Sequence, residues 1–317
     1  MLQVLRRGDA AFHIVSPEAG WRVEPDVVWI DLLRPTREEE LAVEAALGLD
    51  LPTPSEMAAL EPSSRLYQER GATFMTATLL ARSAAEAPFG APVTFVLAQG
   101  LLVTLRYHDF RAFTVFAGRA CIEAGADGGS AFLGLLDAVI ERLAQVLDET
   151  GHRVEEASSA IFERPKAGDF RPMLTGLAKA QSLTALARSS LVSLARMLSF
   201  AALAPQIAGA AEARAHLDSL QRDAQSLSEH ASQQSAHVAF LLDAALGLIN
   251  IEQNGIIKFF SVVAVVFMPP TLIASIYGMN FRVMPELGWV LGYPAALLAM
   301  LVAAVLPVLW FKHRGWL

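Results

Sequence analysis

The chain has 317 residues, 54% of them hydrophobic, with a mean hydropathy of +0.40 and a formal charge of −7. The acidic balance argues against a nucleic-acid partner, because no basic stripe stands out to neutralise phosphates, and it favours cations. A single cysteine, Cys121, excludes an intramolecular disulfide and a thiolate-rich metal site, which fits a reducing cytoplasm.

The N-terminus, MLQVLRRGDAAFHIV, breaks its apolar residues with Arg6, Arg7, Gly8 and Asp9, so no signal peptide is expected. Val27–Leu32 reads as a short strand. Thr36 with Glu39 forms a capping box that opens a helix ending near Gly48, and Thr53-Pro54-Ser55-Glu56 repeats the signal with proline at the first helical position. Thr73–Leu80, Val93–Leu97 and Leu101–Arg106 read as strands, the last two joined by a tight turn at Ala98-Gln99-Gly100. No nucleotide loop, nucleophile elbow or zinc-helix motif occurs, so no enzyme is expected.

Gly125, Gly128 and Gly129 mark a change of composition and an expected boundary. Beyond it the helical spacing of apolar residues runs from about Ala131 to Glu163 and from about Phe170 to Leu203, with Pro165 and Pro205 as breaks. From Gly209 to Tyr277 proline is absent until Pro269, which predicts one helix of about 70 residues, roughly 105 Å long.

Ile256–Tyr277 is apolar or small except for Lys258, and about 22 residues suffice to cross a hydrocarbon core. Trp289–Phe311 is a second such run, followed by Lys312, His313 and Arg314. The connection, 278–288, carries one Arg282 and one Glu286. The positive-inside rule then predicts both termini in the cytoplasm and this loop outside. The expected organisation is 1–127, an α/β domain; 128–253, long stalk helices; 254–311, the pore region; and 312–317, a basic tail. The fold class is α+β with two C-terminal transmembrane helices.

Two helices cannot enclose a wet path, so conduction would need a homo-oligomer with one helix per subunit around the axis. Steps of three and four back from Gly278-Met279-Asn280 give Ser275, Thr271, Met268, Ala264, Ser261, Ile257 and Asn254, a stripe that is mostly small or polar. Small residues also serve plain helix packing, so periodicity alone leaves both readings open. Ile257 and Met268 would form narrow apolar rings able to gate by dewetting. Pro269-Pro270 should free the carbonyls of Val265 and Val266 and kink the helix unless neighbours compensate. A ring of Asn280 amides offers carbonyl oxygens to the water shell of a cation, and Mg²⁺ sheds that shell reluctantly. Gly278 is expected to supply backbone freedom for the turn, with Met279 packing outward.

At these residues the sequence resembles the CorA family of divalent-cation channels: Tyr277-Gly278-Met279-Asn280-Phe281, then Met284-Pro285-Glu286-Leu287, two C-terminal spans and Phe311-Lys312-His313-Arg314-Gly315-Trp316-Leu317. Trp29-Ile30-Asp31-Leu32 followed by Pro35-Thr36 is similar to the family's N-terminal signature. The resemblance implies a funnel-shaped homopentamer in the inner membrane that passes Mg²⁺, and also Co²⁺ or Ni²⁺, with Asn280 as outer filter. It also implies closure by Mg²⁺ bound between cytoplasmic subunits; Asp218, Asp223 and Asp243 are the stalk candidates for that regulatory metal. Ser219 stands where counting back from Asn280 leads one to expect an acid. His216, Asp223, His230 and His237 share one heptad stripe, a polar helix face or a surface for Zn²⁺ or Co²⁺. Two alternatives are a zinc transporter of the ZntB type and a membrane-anchored scaffold or receptor.

Overall fold

The computed structural model describes residues 1–7, 12–18, 20–59, 61–81, 87–120, 127–162, 170–280, 282 and 284–315. Gly8, Asp9, Cys121, Gly125, Glu163, Pro165, Phe281, Trp316 and Leu317, used above, lie outside the described residues.

Seven strands form one mixed sheet: β1 (Leu2–Arg6), β2 (His13–Val15), β3 (Val27–Leu33), β4 (Leu66–Glu69), β5 (Ala72–Ala81), β6 (Phe89–Ala98) and β7 (Leu101–Arg106), in the order β2-β1-β3-β7-β6-β5-β4. Among the described residues only β3 and β7 pair in parallel; the other ladders are antiparallel. The β6–β7 hairpin turns through Gln99 and Gly100 at φ 52° and 80°, two left-handed residues whose twist matches that of the strands.

Short helices cover one sheet face. In α1 (Arg37–Leu47) both halves of the Thr36/Glu39 capping box form, and Gly48 ends the helix in the left-handed region at φ 68°. Next come α2 (Pro54–Ala58), capped by Thr53 and Glu56, and α3 (Pro62–Arg65). Leu47 and Met57 meet Ile30, Leu32, Phe74, Val96 and Val103 there. The opposite face carries the alternate residues Trp29, Met75, Val93, Phe95 and Leu102 against α4 (Arg111–Ala120), α5 (Gly128–Phe162) and α6 (Arg171–Ala201). Period-2 alternation thus divides each central strand between two cores.

Three strands, Leu2–Arg6, His13–Val15 and Leu66–Glu69, and the helix Arg111–Ala120 are absent from the sequence reading. Gly128 and Gly129, at the expected boundary, form the buried first turn of α5. Gly128 donates its N–H to the Gly100 carbonyl at 2.7 Å, and a Cβ there would lie 2.6 Å from Leu101 Cα. The glycine is needed for close approach, not for flexibility.

After α7 (Pro205–Ala208), α8 runs from Ala211 to Tyr277 as one helix of 67 residues. Its first part contributes Leu217, Leu220, Ala224 and Ala231 to the core beneath the sheet. A 3₁₀ turn, Pro285–Gly288, precedes α9 (Gly292–His313). The second apolar helix therefore starts three residues later than its hydropathy indicates, because Trp289–Leu291 form a turn. Hydropathy marks what sits in lipid, whereas the backbone turn marks where the helix begins. The described residues fall into two compact units, one up to Leu242 and one from Asp243 onward.

Candidate functional site

The candidate site is built on the faces of α8. Within the unit up to Leu242, Leu217, Leu220, Ala224, Ala231, Gln234, Val238 and Leu241 are buried and Leu227 is half-buried. They recur in strict steps of three and four, the 3.5-residue period of a helix that packs along its length. Gln234 is the polar member: its amide accepts from Thr184 Oγ1 at 3.2 Å and donates to the Leu147 carbonyl at 3.1 Å. These two bonds tie α8 to α6 and α5 in one register.

In the second unit the same steps reach Ala245, buried, then half-buried Leu248 and Glu252, exposed Gly255 and Phe259, and again half-buried Val262, Val266, Pro269 and Ile273. On α9, Gly292, Ala296, Met300, Ala303, Pro307 and Val308 are half-buried and Phe311 is buried, again one face of mainly small residues. Small residues allow two apolar helices to approach closely. A helix advances 100° per residue, so a position two residues beyond each member of the α8 stripe lies about 200° away.

Those positions are the stripe expected to line a pore. Asn254, Ile257, Ser261, Ala264, Met268, Thr271 and Ser275 are all exposed in the single chain, Ile257 at 62% and Met268 at 69%. Continuing the same steps towards the N-terminus reaches Asn250, Gly247 and Asp243, also exposed. The helix runs on through Pro269 and Pro270, and the Thr271 hydroxyl donates to the Phe267 carbonyl at 2.7 Å.

At the end of α8, Gly278 N–H donates to the Ala274 carbonyl at 2.9 Å and Met279 N–H to Ile276 at 3.2 Å. Gly278 is not among the glycines at positive φ. Its value lies in space: a Cβ there would approach the Ala274 oxygen to 3.2 Å. The backbone freedom expected of Gly278 is thus not used for a left-handed conformation. Met279 and Asn280 are exposed. Glu286, half-buried, sits in the 3₁₀ turn, whose carbonyl 286 accepts from Trp289 N–H at 3.3 Å. Lys312 and His313 occupy the last turn of α9, where cations complement the carbonyl end of the helix dipole.

Asp218, Asp223 and Asp243 are exposed and do not share a face: Asp218 and Asp223 flank the buried stripe on opposite sides, and Asp243 lies on the outer stripe. His216, Asp223, His230 and His237 each precede a buried member of the heptad by one residue and form a single exposed row. Among the described residues, no three His, Cys, Asp or Glu side chains of one chain gather closely enough to hold a metal.

Absent from the sequence reading is what Asp31 does. Fully buried on β3, it accepts from Arg106 of β7 through Nε at 3.0 Å and Nη2 at 2.7 Å, and from the Thr104 hydroxyl at 2.7 Å. Thr104 in turn accepts from the Trp29 indole at 2.9 Å. Burial pulls the Arg106 pKa down, but the bonds and charge of Asp31 outweigh it and hold the guanidinium above its ordinary value. The Trp-Ile-Asp-Leu segment thus locks the one parallel strand pair.

A mixed-sheet domain, long helices, and two C-terminal apolar helices joined through Gly-Met-Asn place the chain in the class of two-span membrane proteins; α8 and α9 each have a stretch long and apolar enough to cross a bilayer. Residues 24–313 match the family described as CorA-like Mg²⁺ transporter protein. The chain belongs to that family, one of ion transporters and not of enzymes. It is 36% identical over 294 residues, 92% of each chain, to the magnesium transport protein CorA of Salmonella typhimurium. Among solved structures, CorA from Methanocaldococcus jannaschii superposes with a TM-score of 0.78 at 18% identity, covering 100% of this chain and 99% of the other. The cytoplasmic domain of ZntB from Vibrio parahaemolyticus gives 0.53 at 11% identity, covering 79% of this chain and 99% of that domain, a likeness of fold alone.

Proposed function

We propose that this protein is a Mg²⁺ channel in which several copies, five by analogy with the family, gather α8 around a hydrated axis in the inner membrane. The organisation is that expected from sequence: an α/β domain over 1–127, a stalk over 128–253 and a pore region over 254–311, with both termini in the cytoplasm. Asn254, Ile257, Ser261, Ala264, Met268, Thr271 and Ser275 line the path. Gly278, Met279 and Asn280 form its outer filter, where amide oxygens accept from waters still bound to the ion. Glu286 in the loop adds a carboxylate near that mouth. Asp243, on the same phase of α8, is the best placed of the three acids to meet its copies around the axis; Asp218 and Asp223 are left for contacts between subunits that sense cytoplasmic Mg²⁺.

The observation that carries this reading is the disposition of α8's faces. The stripe assigned to the pore is turned about 200° from the sheltered one, so it is left free for other copies. The Salmonella relative's name, magnesium transport protein, favours Mg²⁺ as cargo over the zinc of a ZntB-type carrier.

The test is flux into proteoliposomes, with Mg²⁺ varied separately inside and outside. Asn280→Ala should abolish nearly all Mg²⁺ entry while leaving the oligomer intact. Unchanged flux in that variant would return the spans to the role of an anchor, and Zn²⁺ entry without Mg²⁺ entry would assign the ion wrongly.

A further inference from the structure

Although the chain carries seven more acidic than basic residues, one of its long helices is wholly basic. Over 31 residues α6 contains Arg171, Lys179, Arg188 and Arg196 and no Asp or Glu. Residues 181, 185, 188, 189, 192, 193 and 196 recur at helical spacing on one face, and that face borders a cavity of about 690 Å³ against β5 and the end of α3. Arg65, Arg188 and Arg196 line it together with Thr78, Ser189 and Ser193, and among the described residues no acidic side chain lines it.

The cavity's polar groups are only partly satisfied by the fold. Arg65 Nη2 donates to the Met57 carbonyl at 3.2 Å and to Thr78 Oγ1 at 3.0 Å, yet its buried Nε has no partner among the described residues. The same is true of the buried Gln181 Oε1. Ser193 Oγ accepts from Thr78 N–H at 2.9 Å, which ties together two of the cavity's walls, β5 and α6; Ser235 of α8 also lines it. Burial lowers the Arg65 pKa, and the positive charge of Arg196 lowers it further. Arg65 and Arg196 are near enough for one charge to act on the other, Arg188 lines the same cavity, and no carboxylate lies among its described lining, so the positive charge there would be stabilised by an anion.

The structure assigns this cavity to a soluble oligophosphate, bound by Arg65, Arg188 and Arg196 with hydroxyl groups of α6 and β5 completing the shell. Guanidinium forks match phosphate oxygens in pairs, and three of them match the charge of a triphosphate better than that of one phosphate or carboxylate. The volume lies in the range of small-molecule sites and exceeds what a single phosphate fills. The site lies wholly in the unit up to Leu242 and does not depend on the pore reading.

The test is calorimetric titration of the purified full chain, in metal-free buffer of low salt, with inorganic triphosphate and with ATP. Binding of either is expected, weakening as salt rises. The double variant Arg188→Gln/Arg196→Gln changes two exposed side chains, so it keeps the fold, and should bind about tenfold more weakly or worse. Arg70→Gln, on the β4–β5 turn, should bind as the parent does. Absence of binding at millimolar triphosphate and ATP, or binding that the double variant leaves unchanged, overturns the proposal. Dissociation of the oligomer in the double variant overturns it as well, since it would assign these arginines to contacts with a second copy.

Discussion

Val266→Asn and Ala264→Asn place the same amide two residues apart near the middle of the first span, about 3 Å different in depth. Val266 belongs to the half-buried stripe of α8, whereas Ala264 lies on the exposed stripe assigned to the pore. At 266 the amide replaces an apolar side chain among apolar neighbours and leaves donors and acceptors unpaired, which costs about 2 kcal/mol, roughly a thirtyfold shift in the assembly equilibrium. If Ala264 lines the proposed path, the amide there would meet water, and the cost should be a few tenths of that. The assay is the yield of intact oligomer extracted from membranes, by native electrophoresis, followed by Mg²⁺ flux in proteoliposomes. Ala264→Asn should assemble like the parent and alter flux; Val266→Asn should assemble poorly. Equal tolerance at both positions, or a larger defect at 264, would refute the assignment of the two faces.

Removing one partner of the buried Asp31–Arg106 pair by Asp31→Ala leaves a guanidinium that is 5% exposed with only Asp109, at 3.1 Å, to compensate it. The cost should be near the low end for a broken buried pair, about 3 kcal/mol, seen as a fall in the thermal midpoint of about 6–12 °C; Asp31→Leu with Arg106→Met should recover most of it. Gly128→Ala drives a methyl into the backbone of Leu101 and Leu102, with Leu102 N at 2.6 Å, and should cost about 3 kcal/mol by denaturant titration. Burial and donation to Glu40, at 3.0 Å, push the Tyr107 pKa up to about 12. Against an ordinary value near 10 in the unfolded chain, this contribution to stability is complete below pH 10 and is lost as pH rises towards 12. Tyr107→Phe should flatten the fall in denaturant midpoint across that window.

Local signals were legible wherever the chain is its own partner. Both capping boxes, the two-residue turn at Gln99-Gly100 and the breaks at Pro205 follow from neighbours within four residues. Strands were legible where burial made them continuously apolar, as at Val27–Leu33. Strand β6 extends back to Phe89, four residues before the expected start, through Pro92, which breaks a strand pattern. The ladder explains why it is tolerated: β7 pairs only from Val93 onward, so Pro92 has no strand on its outer side to which an N–H would be owed. Strand Leu2–Arg6 was hidden because it pairs with β3, some 25 residues away, and the edge strand His13–Val15 because its one partner is Leu2–Arg6; neither is marked by its own composition. The Asp31–Arg106 pair spans 75 residues, and nothing in either local sequence names the other.

The candidate site shows the same division within a single helix. Counting from Asn280 picks out a stripe of small and polar residues, but the opposite stripe, with Val262, Val266 and Ile273, has the same period, and period alone cannot tell a wall facing water from one facing a helix. Residue size separates them only weakly, since Ala and Ser suit close packing as well as a wet path. Half-burial of Val262, Val266 and Ile273 favours the packing assignment for that stripe: past exposed Gly255 and Phe259 it keeps the step of the one buried from Leu217 to Ala245, where Gln234 bonds to Thr184 and Leu147. A slip of one residue in α8 would carry Gln234 out of reach of both partners and turn every downstream position by 100°. Under the proposed pore reading, the buried Gln234 amide would set which residues of the span face the axis, and Gln234→Leu should preserve the packed helix while lowering Mg²⁺ flux in proteoliposomes; unchanged flux would refute that role.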